Sequence, residues 1–112
     1  MNTIGLDLGT GAIKGVLWNA DRGILQSASE RISIRRPHPG WAELDAGEYL
    51  AQVLRILRAL AAASDTPVDA IAFAAASGNT LLCAPDGTPR TPIISWLDKR
   101  LDWQPPSDWN AR

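Results

Sequence analysis

The sequence has little of what several classes of protein require. Its single cysteine, Cys83, cannot form an internal disulfide, which favours a reducing compartment. No apolar run approaches the roughly 18 residues of a membrane-spanning helix, and the first residues lack the charged start and apolar core of a signal peptide. The 11 basic and 12 acidic residues leave a net charge of -1, which argues against binding nucleic acid or a membrane surface through a basic field. We therefore expect a cytoplasmic protein with no nucleic-acid and no membrane partner.

What the sequence does contain is ordinary for a folded domain. Its 112 residues suit one domain, and 46% of them are hydrophobic against 21% charged. The one histidine, His38, lies between two prolines in a segment that also holds Gly40, so we expect an irregular loop there rather than a catalytic histidine.

The first third of the chain predicts three strands joined by short turns. Partly β-branched segments at residues 3–8, 12–19 and 24–34 alternate with turns that contain glycine, a residue that readily adopts the positive φ of tight turns. Turns this short leave no room for a crossover, so the three strands should be antiparallel neighbours.

An amphipathic helix is predicted to follow. Asp45 is a good N-cap, and Glu48 three residues later completes the pattern of a capping box. Apolar residues then recur every three or four positions and predict the buried face, with Gln52, Arg55 and Arg58 on other faces; the apolar set is Leu50, Val53, Leu54, Leu57, Leu60 and Ala61.

The remaining pattern predicts a parallel strand and then short strands. Residues 68–76 are predicted to form a buried strand, and because a helix precedes it, it should run parallel to an earlier strand. Shorter strands are expected at residues 80–83 and 92–95. Three antiparallel strands, a helix and a parallel strand open an α/β domain of the ribonuclease-H-like fold, and with one helix the domain is expected to be incomplete.

The first turn carries the sharpest chemical signal, in residues 7–11 (DLGTG). A carboxylate at a strand end beside a glycine turn, here Asp7, can hold Mg²⁺ through water. Gly9 and Gly11 would let backbone N–H groups approach phosphate oxygens, Thr10 adds a hydroxyl donor, and Lys14 adds an ammonium. The same residues also suit a plain hairpin with a charged tip, and spacing alone does not separate the two interpretations. A Walker P-loop is excluded because no Gly-Lys-Ser/Thr is present.

Four segments, in order, resemble the amino-terminal part of the FGGY family of carbohydrate kinases, within the actin, Hsp70 and hexokinase superfamily. They are residues 4–10 (IGLDLGT) with Lys14, residues 36–45 (RPHPGWAELD), residues 76–82 (ASGNTLL) and residues 92–100 (PIISWLDKR). The resemblance implies that residues 1–112 are the first part of the amino-terminal kinase domain and that a carboxy-terminal nucleotide-binding domain lies outside this chain.

The resemblance also implies roles for single residues. Asp7, Gly9, Thr10 and Gly11 would face the phosphates of ATP and the Mg²⁺ ion, with Lys14 near the γ-phosphate.

For the acceptor, the resemblance places Ser77 and Gly78 at the sugar or polyol site. Trp96 would offer a ring face to sugar C–H groups, and Asp98 and Arg100 would hydrogen-bond hydroxyls or fix the loop. Family members often carry pairs such as Met-His or Arg-Glu where this chain has Ser77 and Gly78, so its substrate stays open.

The function implied is that of an ATP-dependent kinase acting on a hydroxyl of a sugar or polyol, with a pentulose or other ketose favoured. The catalytic aspartate of the family is expected beyond this chain, so we assign no catalytic residue here and expect the chain alone to be inactive. A homo-oligomer is an option, because uncovered sheet or apolar surface invites association.

Two other functions remain open. One is a non-catalytic remnant of a kinase that serves as a binding or regulatory module. The other is an actin-like or Hsp70-like ATPase, against which the Pro-Gly-Trp and Trp-x-Asp-x-Arg segments argue.

Overall fold

The computed structural model describes residues 1–100 of the chain. The elements, in chain order, are β1 (Asn2–Leu8), β2 (Ala12–Asn19), β3 (Gly23–Arg31), β4 (Glu43–Leu44), α1 (Ala46–Ala62), β5 (Ala70–Ala75) and β6 (Ile93–Ile94). None of the helical structure in this part of the chain has the length and apolar character needed to cross a membrane.

The main sheet has four strands in the order β3-β2-β1-β5. β1, β2 and β3 pair antiparallel, while β5 pairs with β1 in parallel. The predicted antiparallel trio and the parallel return after the helix are therefore confirmed. β3 ends at Arg31, three residues before the predicted end. The bond from the Ile32 N–H to the Gly11 carbonyl is the last in its register with β2, and the chain then leads to Arg35, which pairs with Glu43 of β4.

Helix α1 covers one face of the sheet and forms the core with it. The buried cluster is made of Ile4, Leu6, Ile13, Leu17, Ile56 and Leu60. Gly15 lies on the same face of β2, and a Cβ on it would come within 2.7 Å of Leu60 Cδ1 and 2.8 Å of Ile56 Cγ2. The missing side chain therefore lets the helix pack closely on β2.

The predicted burial of α1 needs one correction. The N-cap is confirmed, since the Asp45 carboxylate accepts from the Glu48 backbone N–H at 2.8 Å. Gln52, however, is buried, and its side-chain amide donates to the Arg31 carbonyl at 2.8 Å, which satisfies a carbonyl at the end of β3. Leu50 and Leu54, predicted to be on the buried face, are exposed because the sheet lies under the stripe through Gln52, Ile56 and Leu60 instead.

Two further predictions about strands are wrong. The strand predicted at residues 68–76 corresponds to β5, but every residue of β5 is exposed and not buried. The reason is that α1 lies over β1, β2 and β3, and no other element of residues 1–100 covers β5. Residues 80–83 form no strand; Thr80 and Cys83 make only isolated bridges, to Ile94 and Pro89.

A second, two-stranded sheet links distant parts of the chain. β4 pairs antiparallel with β6, so the segment before α1 meets the segment that leads to Trp96. The pairing carries the residues after β6 back over the end of the main sheet where the β1–β2 turn lies.

Candidate functional site

Two carbonyls of the turn between β1 and β2, and the carbonyl of the last residue of β1, are bonded within the protein. The carbonyls of Leu8, Gly9 and Gly11 accept from the Ala76 N–H (3.1 Å), the Tyr49 hydroxyl (3.1 Å) and the Ile32 N–H (3.1 Å). Within residues 1–100, by contrast, the backbone N–H groups of residues 9–11 donate to no protein acceptor. Consecutive N–H groups left open in a turn form a concave site for an anion.

The positive φ expected of the glycines in this turn is not observed, while their role in admitting a phosphate stays a prediction. Neither Gly9 nor Gly11 has a positive φ. A Cβ on Gly9 would lie 2.6 Å from the Ala12 carbonyl oxygen, closer than real Cβ contacts, whereas a Cβ on Gly11 would have nothing within 4 Å. Gly9 is thus needed for the close approach of the backbone, and Gly11 is free of that constraint.

Asp7 and Lys14 flank this turn on the sheet face opposite α1. They are partners across the β1–β2 ladder, and both side chains are exposed. They line one end of a groove of about 420 Å³ whose other walls include the small residues Gly5, Ala72 and Ala74. One carboxylate and one ammonium therefore lie side by side, next to N–H groups that have no acceptor among the first 100 residues.

The residues fit a magnesium ion that is held mainly by water and phosphate oxygens and only in part by the protein. Mg²⁺ in phosphoryl-transfer sites keeps several waters and uses one or two carboxylates together with phosphate oxygens. Asp7 supplies one exposed carboxylate. No cluster of three or more His, Cys, Asp or Glu side chains able to hold a metal occurs in the part of the chain that the structure describes. A single carboxylate suits an ion that arrives bound to phosphate. It does not suit a site in which protein ligands alone surround the metal.

Trp96 is fixed from three sides while its ring stays open. Its indole N–H donates to the Thr10 hydroxyl oxygen at 2.9 Å, and its backbone N–H donates to the Asn79 side-chain oxygen at 3.0 Å. Gly78, at φ 87°, packs so closely that a Cβ would lie 3.2 Å from the Trp96 Cβ. The residue is nevertheless 57% exposed. Ser77, also exposed, precedes Gly78 in the same loop.

Asp98 and Arg100 form an inward-facing, hydrogen-bonded ion pair. One Asp98 oxygen accepts from the Arg100 N–H and Nε, and the other accepts from Arg100 Nη2 (2.7 Å) and the Ala42 N–H (2.6 Å). Arg100 also pairs with Glu43 at 2.7 Å and stacks 3.8 Å from the centre of the Trp41 ring. Since both carboxylate oxygens are fully used by the chain, this geometry supports the second of the two predicted roles, that of fixing the loop.

The hydrogen bonds of this ion pair shift the pKa values of both residues. The Arg100 guanidinium, aided by the backbone N–H of Ala42, holds the pKa of Asp98 well below its ordinary value. The Asp98 carboxylate in turn raises the pKa of Arg100. The side chain of Asp98 is only 3% exposed, so the pair remains ionised in a largely desolvated position.

Two residues of the site were not predicted from the sequence. Tyr49 fixes the turn from α1 through its bond to Gly9, and burial, together with the charge of Asp7, raises the pKa of its hydroxyl. Asn79 holds the backbone of Trp96. A tyrosine in the first turn of the helix, next to the N-cap, was the available signal for the first, but no pattern links positions 79 and 96.

Comparison with known proteins identifies the family. The N-terminal domain of the FGGY family of carbohydrate kinases matches residues 2–103. The chain is 35% identical over 99 residues to the xylulose kinase of Escherichia coli strain K12, covering 87% of this chain and 20% of that protein. It is 32% identical over 69 residues to the glycerol kinase of Bacillus subtilis strain 168, covering 62% of this chain and 14% of that protein.

A solved structure agrees with the sequence matches. The xylulose kinase of Rhodospirillum rubrum superposes with a TM-score of 0.82 at 27% identity, over 89% of this chain and 22% of the other. The chain therefore belongs to the FGGY family of carbohydrate kinases, and it matches their N-terminal domain. It spans about a fifth of the length of the curated relatives that it matches over most of its own length.

Proposed function

We propose that this chain supplies the phosphate-binding turn and part of the acceptor site of an ATP-dependent carbohydrate kinase. The reaction joins a hydroxyl oxygen of the sugar or polyol to the γ-phosphorus of ATP, breaks the bond between the γ-phosphorus and its bridging oxygen, and releases ADP and a proton. The observation that carries the proposal is the turn at residues 9–11, where the carbonyls of Gly9 and Gly11 are bonded within the protein while the N–H groups find no acceptor in residues 1–100.

Each residue around the turn has a task that its position supports. The N–H groups of residues 9–11 receive phosphate oxygens, and Lys14 neutralises charge on the transferred group. Asp7 holds a magnesium ion through water. This arrangement suits phosphoryl transfer, in which positioning and charge neutralisation account for most of the rate. The proton of the sugar hydroxyl goes to a carboxylate that we expect outside this chain.

The acceptor is proposed to be a sugar or polyol that meets the exposed face of Trp96. An indole face packs well against the C–H groups of a sugar ring or chain, and Ser77 adds a hydroxyl in the adjacent loop. The relatives named above act on xylulose and on glycerol. Within that range we favour a pentulose or other ketose. We also propose that the protein works in the cytoplasm.

Binding of MgATP by charge variants tests the phosphate-binding turn. Lys14→Gln removes the ammonium beside the turn, and Arg58→Gln removes an exposed positive charge on α1 as the matched control. A charge-assisted hydrogen bond contributes about 1.5–3 kcal/mol, so Lys14→Gln should weaken the affinity measured by calorimetry roughly tenfold or more. Equal affinities for the two variants would contradict the assigned role of Lys14.

A further inference from the structure

Thr10 touches both halves of the proposed site. Its backbone belongs to the turn whose N–H groups find no acceptor in the described part of the chain, and its hydroxyl oxygen accepts the indole N–H of Trp96 at 2.9 Å. The two residues are 86 positions apart in the chain, so this bond is a tertiary contact between the phosphate side and the acceptor side.

The chemistry of a hydroxyl leaves one donor available. A threonine hydroxyl has two lone pairs and one proton, and the bond from Trp96 occupies a lone pair. The proton is therefore free to be donated to an anion that occupies the turn. When a hydroxyl donates to a negative oxygen, its own oxygen becomes a better acceptor, so the two bonds strengthen each other.

The backbone N–H of Trp96 is bonded to the Asn79 side chain, and the Gly78 backbone lies close to the Trp96 Cβ, so we expect the indole rather than the backbone to respond. The indole bond to Thr10 is then the contact that sets the orientation of the ring. Because Trp96 is an exposed residue, the orientation of its ring decides which face a ligand meets.

We propose that Thr10 is a positioning residue that couples phosphate binding to the orientation of Trp96. This inference rests on the proposed function. A phosphate in the turn tightens the Trp96–Thr10 bond and preorganises the aromatic face for the acceptor. Because such coupling is reciprocal, an acceptor that packs on Trp96 raises the affinity of the turn for phosphate by the same factor.

The experiment follows the indole N–H signals of the 112-residue chain by nuclear magnetic resonance while Mg-tripolyphosphate is added. The chain has 5 tryptophans, and the signal that disappears in Trp96→Phe identifies the one of interest. In the unaltered chain the Trp96 indole signal and the amide signals of residues 9–11 should shift with the same midpoint concentration. Thr10→Ser keeps the hydroxyl and should preserve both shifts.

Thr10→Val keeps the shape but removes the hydroxyl. In this variant the amide signals should still shift while the ligand-induced shift of the Trp96 indole is lost, and exchange of the indole proton with water should be severalfold faster without any ligand. Thr10→Ala, which also lacks the hydroxyl, should behave in the same way and guards against a packing effect of valine.

The outcomes separate this inference from the proposed function. If the turn amides shift and the Trp96 indole of the unaltered chain does not, the coupling is wrong and the phosphate turn stands. If Thr10→Val retains the indole shift, the hydroxyl is not the link and the coupling is again wrong. If neither signal responds to Mg-tripolyphosphate, both the coupling and the phosphate turn are contradicted.

Discussion

Of the two glycines in the turn, Gly9 is the one whose surroundings leave no room for a side chain. Its position against the Ala12 carbonyl brings two backbone segments together, while Gly11 borders open space. The two glycines look equivalent in the sequence and differ only in what surrounds them. Which glycine a turn depends on is therefore a property of the folded backbone, and it could not be predicted from residues 7–11 alone.

Substitution of the two glycines by alanine tests this difference. In Gly9→Ala the backbone must shift to relieve the 2.6 Å contact, so we expect a loss of about 1–3 kcal/mol in unfolding free energy and weaker binding of Mg-tripolyphosphate. Gly11→Ala, with neither a close contact nor a positive φ, should change the stability by less than about 0.5 kcal/mol. Urea unfolding of both variants measures the difference, and equal losses would contradict the close-approach argument.

The buried carboxylate of Asp98 gives the stability a dependence on pH. The pKa of Asp98 is lowered in the folded chain, so its ionised form stabilises the fold above the unfolded pKa of about 4. That contribution is lost as the pH falls from about 4 toward the lower folded pKa. Asp98→Asn should therefore destabilise the chain at pH 7, and the difference from the unaltered chain should shrink as the solution is acidified.

Asp21→Asn is the matched control for this titration, because Asp21 is exposed in the turn between β2 and β3. Urea unfolding between pH 7 and pH 3 is measured for Asp21→Asn, Asp98→Asn and the unaltered chain. A gap between Asp98→Asn and the unaltered chain that stays constant down to pH 3 would show that Asp98 does not stabilise the fold through its charge.

At the scale of the elements, the close contact between α1 and β2 depends on Gly15. The matched pair is Gly15→Ala and Gly5→Ala, which lie on opposite faces of the same sheet. Gly15→Ala pushes against Leu60, Ile56 and Leu6 at 2.7–2.8 Å, whereas Gly5→Ala meets Val16 at an ordinary 3.6 Å. We expect a loss of about 1–3 kcal/mol for Gly15→Ala and little change for Gly5→Ala, measured by thermal or urea unfolding. A larger loss for Gly5→Ala would contradict the packing described here.

The elements themselves were largely predictable, and their burial was not. Periodicity of 2 and of 3.6 residues indicates strands and helix because it reflects the local geometry of the backbone. Burial depends on what another element covers, which is why Gln52 was placed on the wrong face and β5 was expected to be buried. The bond between Thr10 and Trp96 joins residues too far apart in sequence for any local pattern to reveal it.

At the scale of the whole molecule, the proposed function makes the chain one part of a larger site. One face of its sheet packs against α1. The other face carries Asp7, Lys14 and the groove whose walls include Gly5, Ala72 and Ala74. The curated relatives that it matches over 87% of its length are more than four times as long, since the 99 or 100 aligned residues make up 20% of each. The proposed kinase activity thus requires groups beyond those that this chain provides.

We accordingly expect the 112-residue chain to release no ADP in response to sugar. Phosphoryl transfer depends on positioning both substrates, and an incomplete site loses most of that advantage. A coupled assay with a panel of pentoses, hexoses and polyols measures this, with the E. coli xylulose kinase and xylulose as the positive control. Sugar-dependent turnover above background would show that the chain holds a complete active site.

The most direct test of the central claim, that the β1–β2 turn is a phosphate site, is a residue-by-residue map of amide shifts on titration with MgATP. We predict that the largest and saturable shifts belong to the N–H groups of Gly9, Thr10 and Gly11. Saturable binding that leaves these three signals in place, with the largest shifts elsewhere in the chain, would contradict it.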